Sequence, residues 1–166
     1  TNNKWFETQD SISYWDDFNK QKIIYPDIMR MPATGTIDKY PYFFLDEGKF
    51  FVEATNFIMT GTKCDLIYLF LASDIGFFAF TKFYSGPQFD VTGFRYKKDY
   101  LNYLPIPKMS TSDISILQRQ LPLIRFNYNE KAQTIIDDVF YACLGFSNEE
   151  RKYVSQYKTI LQHLKK

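Results

Sequence analysis

The order of hydrophobic patterns along this 166-residue chain predicts an α+β fold: a mixed β-sheet body with a packed central helix, followed by an all-helical C-terminal tail. Short β-branched and aromatic runs, separated by turn residues, fill the first 60 positions and favour strands. Apolar residues then recur every three or four positions over 63–84, which is the period of a helix face. Beyond residue 108, helix-start clusters precede amphipathic stretches.

The strands are predicted first from the run 22–28 (Lys-Ile-Ile-Tyr-Pro-Asp-Ile), in which Pro26 indicates an edge or a strand end. The runs 40–45 and 49–60 flank Asp46-Glu47-Gly48 and predict a β-hairpin with a short glycine-containing loop. Residues 89–94 predict a further short strand or an extended loop. These runs together imply a sheet.

The helices are predicted from periodicity and capping residues. The central helix over 63–84 ends at Ser85-Gly86-Pro87, and one or two helical turns follow over 99–104. The double-proline segment Leu104-Pro105-Ile106-Pro107 predicts a boundary between a body, 1–108, and a tail, 109–166. In the tail, a helix is predicted over 114–124 with Pro122 as a break inside it, Gly145 predicts a stop after 130–144, and Ser147 with Glu150 predicts a capping box that opens the last helix. The tail packs either on this body or on another part of a longer enzyme.

The net charge of +1 neither excludes nor favours a nucleic-acid partner, because affinity for phosphates depends on local clusters of Lys and Arg. Four basic residues against the single acid Asp90 give a net charge of +3 between Lys82 and Lys98.

No catalytic centre is evident in the sequence. The only histidine, His163, is predicted to be solvated near the end of a helix, and Cys64 and Cys143 lack partners at metal-ligand spacing. The seven glycines are isolated, so no phosphate loop is predicted. The acid pairs, such as Asp137-Asp138, are expected to be solvated, and only Asp46, Lys49 and Glu53 mimic a nuclease cluster.

A bilayer-spanning segment is not predicted, because the longest apolar run, 66–80, is short and is interrupted by Ser73 and Asp74. We expect a cytoplasmic protein with reduced thiols and no membrane partner. The chain begins at Thr1 without a methionine, so we expect it to be part of a longer polypeptide.

Five motifs follow one another in a recognisable order. They are Lys4-Trp5-Phe6-Glu7 with 14–18 and 22–28, then Asp46-Glu47-Gly48-Lys49-Phe50, Leu69-Phe70-Leu71-Ala72-Ser73, the segment 100–107, and the segment 136–150. In this order they resemble the TaqI-like C-terminal specificity domains, which are the target-recognition domains of type IIG restriction-modification enzymes and related adenine-specific DNA methyltransferases. One departure is Leu71-Ala72-Ser73, where that family has Leu-Asn-Ser.

The resemblance implies a sequence-specific DNA recognition module that is non-catalytic by itself. Its partners would be double-stranded DNA and the catalytic methyltransferase domain of the same polypeptide. That domain would flip an adenine out of the duplex and methylate it from S-adenosylmethionine, with Mg²⁺ required if a nuclease is also present. An Asn-Pro-Pro-Tyr loop would then lie upstream of Thr1. Whether the parent also cleaves DNA, and which target it reads, are left open.

The candidate DNA-binding residues are polar and basic side chains in two loop regions that a sheet can aim into a groove. They are Arg30, Lys39, Tyr40, Lys82, Gln88, Arg95, Tyr96, Lys97 and Lys98. Arg30 or Arg95 can face guanine with two parallel hydrogen bonds, and Lys97 and Lys98 are typical phosphate contacts. Asn56 is a further base-reading option.

The alternative function is a protein-interaction or scaffold domain without DNA contact. Near-neutral charge and an aromatic content of 19% both favour that hypothesis.

Overall fold

The computed structural model describes residues 13–32, 37–52, 55–85 and 93–164. It confirms the α+β class: small antiparallel sheets, a helical layer and a helical C-terminal part. The strands are β1 (Gln21–Pro26), β2 (Ile28–Arg30), β3 (Phe44–Glu47), β4 (Asn56–Thr60) and β5 (Gly93–Arg95). The helices are α1 (Cys64–Ala72), α2 (Asp74–Ala79), α3 (Lys98–Leu101), α4 (Thr111–Ile124), α5 (Glu130–Cys143) and α6 (Asn148–His163). A 3-10 turn spans Trp15–Asn19, and a π-helical turn spans Phe80–Tyr84.

The strands form two sheets that meet at Asp27. The first has the order β3-β1-β4, and the second is a two-stranded ribbon of β2 and β5. In the first sheet Ile23 lies opposite Leu45 on one side and Met59 on the other. These residues share one face, and Ile23 and Leu45 are completely buried there beneath α1.

The predicted β-hairpin is wrong, because β3 and β4 do not pair with each other but flank β1. The reason is the turn after β3. The carboxylate of Asp46 accepts hydrogen bonds from the backbone N–H groups of Gly48, Lys49 and Phe50, at 3.0 to 3.2 Å. This turn leads the chain away from β3 instead of folding it back alongside, and β1 fills the position between the two strands.

The predicted central helix is interrupted at Ser73, where α1 ends and α2 begins at a bend of 75°. The Ser73 hydroxyl accepts from the N–H of Gly76 at 3.0 Å and donates to the carbonyl of Phe70 at 2.6 Å. A Cβ on Gly76 would collide with that carbonyl, so the bend requires glycine. Among the described residues, no unbroken helix has the length and apolar content needed to cross a bilayer, and only the bent pair Cys64–Ala72 with Asp74–Tyr84 passes that test.

The C-terminal helices begin and end much as their capping residues predict. Ser110 with Asp113 and Ser147 with Glu150 form capping boxes, and Gly145 has the positive φ (69°) of a helix stop. Pro122 does not break α4, which continues to Ile124.

The tail packs on the body of the same chain. Phe70 of α1 lies edge-on to Phe140 of α5, with ring centroids 5.2 Å apart, and Phe78 of α2 meets Tyr157 of α6 at 5.0 Å. Buried residues from both sides of residue 108 belong to one hydrophobic core.

A buried polar cluster joins α2, α5 and α6. The Asp137 carboxylate accepts from the backbone N–H of Asp74 at 2.7 Å and from the Gln133 amide at 3.1 Å, and Lys158 pairs with Asp74 at 2.9 Å. Asp137 was expected to be solvated, and this expectation is wrong, because its carboxylate receives these donors inside the helical layer.

A second buried ion pair, Lys22–Asp46, lies on the other face of the first sheet. Neither side chain is exposed, and the Lys22 ammonium also donates to the carbonyl of Phe18 at 2.6 Å. Burial opposes ionisation of Asp46, but the hydrogen bonds from Lys22, Phe50 and Lys49 prevail and lower its pKa. The pair therefore fixes three elements at one point: β1, β3 and the 3-10 turn.

We predict that Lys22→Met lowers the free energy of unfolding by about 3–5 kcal/mol, because it leaves the Asp46 carboxylate buried without its cation. The matched control is Lys20→Met, which removes an exposed lysine paired with Asp17 and should leave the free energy of unfolding almost unchanged. Urea denaturation measures both. Equal losses in the two variants would contradict the assigned role of the buried pair.

We predict that the protein loses stability as pH rises from about 4 to about 7. Burial raises the pKa of Asp137 to about 7, and the neighbouring Asp74 adds to the rise. Unfolding restores the ordinary pKa near 4, so the folded state binds more protons than the unfolded state in this window, and each pH unit lowers the free energy of unfolding by up to about 1.4 kcal/mol.

The measurement is the urea midpoint at pH 5 and at pH 7.5, for the natural chain and for Asp137→Asn. The asparagine keeps an acceptor for the Asp74 N–H but does not titrate, so the midpoint of this variant should change less between the two pH values. An unchanged difference would rule out Asp137 as its source.

Candidate nucleic-acid interface

The ribbon of β2 and β5 carries two of the predicted site residues on one face. Ile28 lies opposite Arg95, Met29 opposite Phe94, and Arg30 opposite Gly93. Paired residues in antiparallel strands project to the same side, and successive residues alternate. Arg30 and Arg95 are therefore diagonal neighbours on the outer face, whereas Met29 and Phe94 are buried in the core on the other.

Lys97 extends the same alternation. Phe94 and Tyr96 are buried on the core side. Arg95 and Lys97, which alternate with them along the chain, are half-buried. The backbone of residues 95–97 is extended up to Lys97, the residue before α3. Three of the predicted basic residues, Arg30, Arg95 and Lys97, thus belong to one face of the ribbon and its continuation.

Asp27 holds this ribbon in place and was missed by the sequence analysis. Its carbonyl accepts from the N–H of Tyr96 at 2.7 Å, and its own N–H donates to Thr55 at 3.2 Å. Its carboxylate lies 3.4 Å from Nε of Arg95, so it also restrains that guanidinium. An acid directly after Pro26, inside an otherwise apolar run, is the one feature of the sequence that marks this position.

Both loop regions that were expected to carry the site attach at one end of the ribbon. Residues 31–36 follow Arg30, residues 86–92 precede Gly93, and Arg30 and Gly93 are register partners. Two contacts fix this end. The Tyr40 hydroxyl donates to the Met29 carbonyl at 3.2 Å, and the Gln162 amide of α6 donates to the Pro32 carbonyl at 2.9 Å.

The prediction that Tyr40 and Tyr96 contact DNA is wrong, since each is 1% exposed. Tyr96 stacks on Phe80, with ring centroids 4.3 Å apart, and Tyr40 lies edge-on to Phe77 at 5.4 Å. Burial also raises the pKa of the Tyr96 hydroxyl well above its usual range. Both tyrosines support the ribbon from the core side.

The remaining candidates lie elsewhere or outside the description. Lys39 is exposed in the turn before Tyr40, and Lys82 is exposed on the π-helical turn that leads to residues 86–92. Lys98 begins α3 and, together with Asn56, lines a separate cleft beside β4. Gln88 lies outside the described residues, as do residues 33–36 and Glu53 of the nuclease-like cluster.

The described part of the interface can bind anions but offers no acid–base pair. Guanidinium and ammonium groups donate hydrogen bonds to phosphate oxygens or to base edges. His163 is exposed on the last helix, and in the described ranges no three His, Cys, Asp or Glu residues are grouped so that they could hold a metal ion.

Comparison with protein-family models, with curated proteins and with solved structures finds no match to this chain.

Proposed function

We propose that this chain is a duplex-DNA recognition module and that the outer face of the β2–β5 ribbon is its contact surface. One observation carries the proposal: Arg30 and Arg95 lie on the same face of the ribbon, and Lys97 continues that face. A two-stranded β-ribbon fits the major groove of B-form DNA, where every base pair presents a distinct pattern of donors and acceptors.

The three basic residues have different roles in this proposal. Arg30 lies opposite Gly93 at the end of the ribbon, and in this proposal it reads a base edge. The Asp27 carboxylate restrains the Arg95 guanidinium, and this suits a contact with one fixed position on the DNA. Lys97 precedes α3 and neutralises a phosphate, because an ammonium acts as a point charge without a directional fork.

The wider proposal concerns the enzyme to which the module belongs. The order of five motifs resembles the TaqI-like specificity domains, and this supports a role in a type II restriction-modification enzyme or an adenine-specific DNA methyltransferase. Methyl transfer from S-adenosylmethionine would then reside in another domain of the same polypeptide. The residues of this chain would hold the duplex and select the site.

We predict salt-dependent binding of the chain to a labelled duplex of random sequence, measured by fluorescence anisotropy between about 20 and about 200 mM NaCl. Lys97→Gln should reduce the slope of log affinity against log salt by about 0.9, because it removes one phosphate contact, whereas Arg30→Gln removes a base contact and should weaken binding with a smaller change in slope. The matched control, Arg119→Gln, removes an exposed arginine from α4 and should leave the slope unchanged.

Equal effects of Arg30→Gln, Lys97→Gln and Arg119→Gln would show that binding follows total charge rather than the ribbon, and would contradict the proposed surface. Absence of binding at the lowest salt concentration would favour the alternative, a protein-interaction domain. Selection of bound duplexes from a random pool separates the two ribbon residues. Arg30→Gln should relax the preference at one base position, and Lys97→Gln should weaken all sequences alike.

A further inference from the structure

The two edge strands of the three-stranded sheet, β3 and β4, differ in the contacts that their outer sides make. At the β3 edge, Arg125 of the tail donates from Nε to the Leu45 carbonyl at 3.0 Å and pairs with Glu47 at 3.0 Å. That edge is therefore covered. At the β4 edge, by contrast, the described residues supply no backbone hydrogen bond beyond those to β1. Sheet edges left open in this way are templates for another strand.

The register shows which groups of β4 point outward. Because the Leu45 carbonyl accepts from Arg125, it faces away from β1, so Leu45 and Ile23 form a non-hydrogen-bonded pair. Ile23 must then direct its N–H and C=O towards β4. The Asp27 N–H donates to the Thr55 carbonyl, as expected if every second residue from Ile23 onward directs its backbone groups towards β4.

It follows that Phe57 and Met59, opposite Tyr25 and Ile23, bond inward to β1. Asn56, Ile58 and Thr60 direct their backbone groups outward. This parity also explains Pro26 in the central strand, since its missing N–H would not face β4.

The outward groups border a cleft next to the sheet, with a volume of about 530 Å³. All five residues of β4 line it. Tyr14 and Asp17 stand on the side of the 3-10 turn, and Leu101 of α3 belongs to the core on the opposite side. These residues line a groove along a single strand.

The charges in the groove indicate the chemistry of its occupant. Asp17 is neutralised by Lys20, at 2.7 Å. Lys98 is exposed at the start of α3, and it is the one charged side chain lining the groove that has no ion-pair partner within the described ranges. An occupant that complements the groove therefore carries a carboxylate opposite Lys98 and an apolar side chain against Leu101.

We propose that the β4 edge binds an extended acidic segment of a partner protein, which adds to the sheet as a fourth strand next to Asn56, Ile58 and Thr60. Main-chain hydrogen bonds supply affinity in this mode, and alternate side chains supply specificity. The proposal is independent of DNA binding, because the groove and the ribbon face share none of their residues.

The test uses the 166-residue chain and a phage-displayed library of random linear dodecapeptides. We expect enriched peptides that contain Asp or Glu and that shift the amide resonances of Asn56, Ile58 and Thr60 in NMR spectra. Ile58→Pro removes a backbone N–H that points away from β1, so it breaks no hydrogen bond to β1, and it should weaken peptide binding at least tenfold. The matched control, Ile58→Val, keeps the donor and should bind as the natural chain does. Lys98→Glu should weaken acidic peptides to a similar degree.

A second measurement does not depend on the folding of the proline variant. N-methylation of the selected peptide at successive positions should abolish binding at every second residue only, because alternate N–H groups face β4. Uniform tolerance of N-methylation, or undiminished binding to Ile58→Pro, would overturn the proposal. So would failure to enrich any peptide, or a concentration-dependent dimer in sedimentation that Ile58→Pro abolishes, which would assign the edge to a second copy.

Discussion

The architecture depends on how one residue, Asp27, joins two sheets. Strand β1 ends at Pro26 and β2 begins at Ile28, so the chain passes from the three-stranded sheet into the ribbon within a single residue. At that residue the N–H bonds towards the β4 side, the carbonyl accepts from Tyr96, and the carboxylate approaches Arg95. Backbone groups that leave one ladder need partners elsewhere. Asp27 satisfies this requirement and thereby fixes the orientation of the ribbon relative to the core.

The elements themselves follow from local patterns, but the pairing of the strands does not. The runs 22–28, 40–45 and 49–60 predict strands, and the observed strands β1 to β4 overlap these runs, although β3 extends through Asp46 and Glu47 of the predicted loop. Capping residues predict the starts of two tail helices, including both capping boxes. The strand runs predict a hairpin between neighbours in sequence, whereas β1 lies between β3 and β4. The decisive contacts are long-range: Lys22 meets Asp46, 24 residues away, and the same carboxylate redirects the following turn. The short runs from which strands are predicted do not contain both partners.

The candidate site was predictable in part, for a similar reason. A basic cluster near Arg95 can be read from the sequence, and alternation along a strand then places Arg95 and Lys97 on one face. Tyr40 and Tyr96 carry the same polar hydroxyl as surface tyrosines, and only their packing on Phe77 and Phe80 shows that they belong to the core. Arg30 joins Arg95 through a strand pairing across more than 60 residues, which local patterns do not reveal.

The near-neutral composition is also easier to interpret once the charges are located. Lys22–Asp46 and Lys158–Asp74 are closed pairs inside the molecule, so they contribute nothing to the field at the surface. Asp137 is buried as well, and burial raises the pKa of its carboxyl to about 7. A polyanion interacts with the local arrangement of charged side chains at the surface. The ribbon carries Arg30, Arg95 and Lys97, with Asp27 beside Arg95. The groove beside β4 has the exposed Lys98 and the outward backbone groups of the strand. The two surfaces thus differ in chemistry as well as in position, since one presents several cationic side chains and the other mainly the backbone groups of a strand edge.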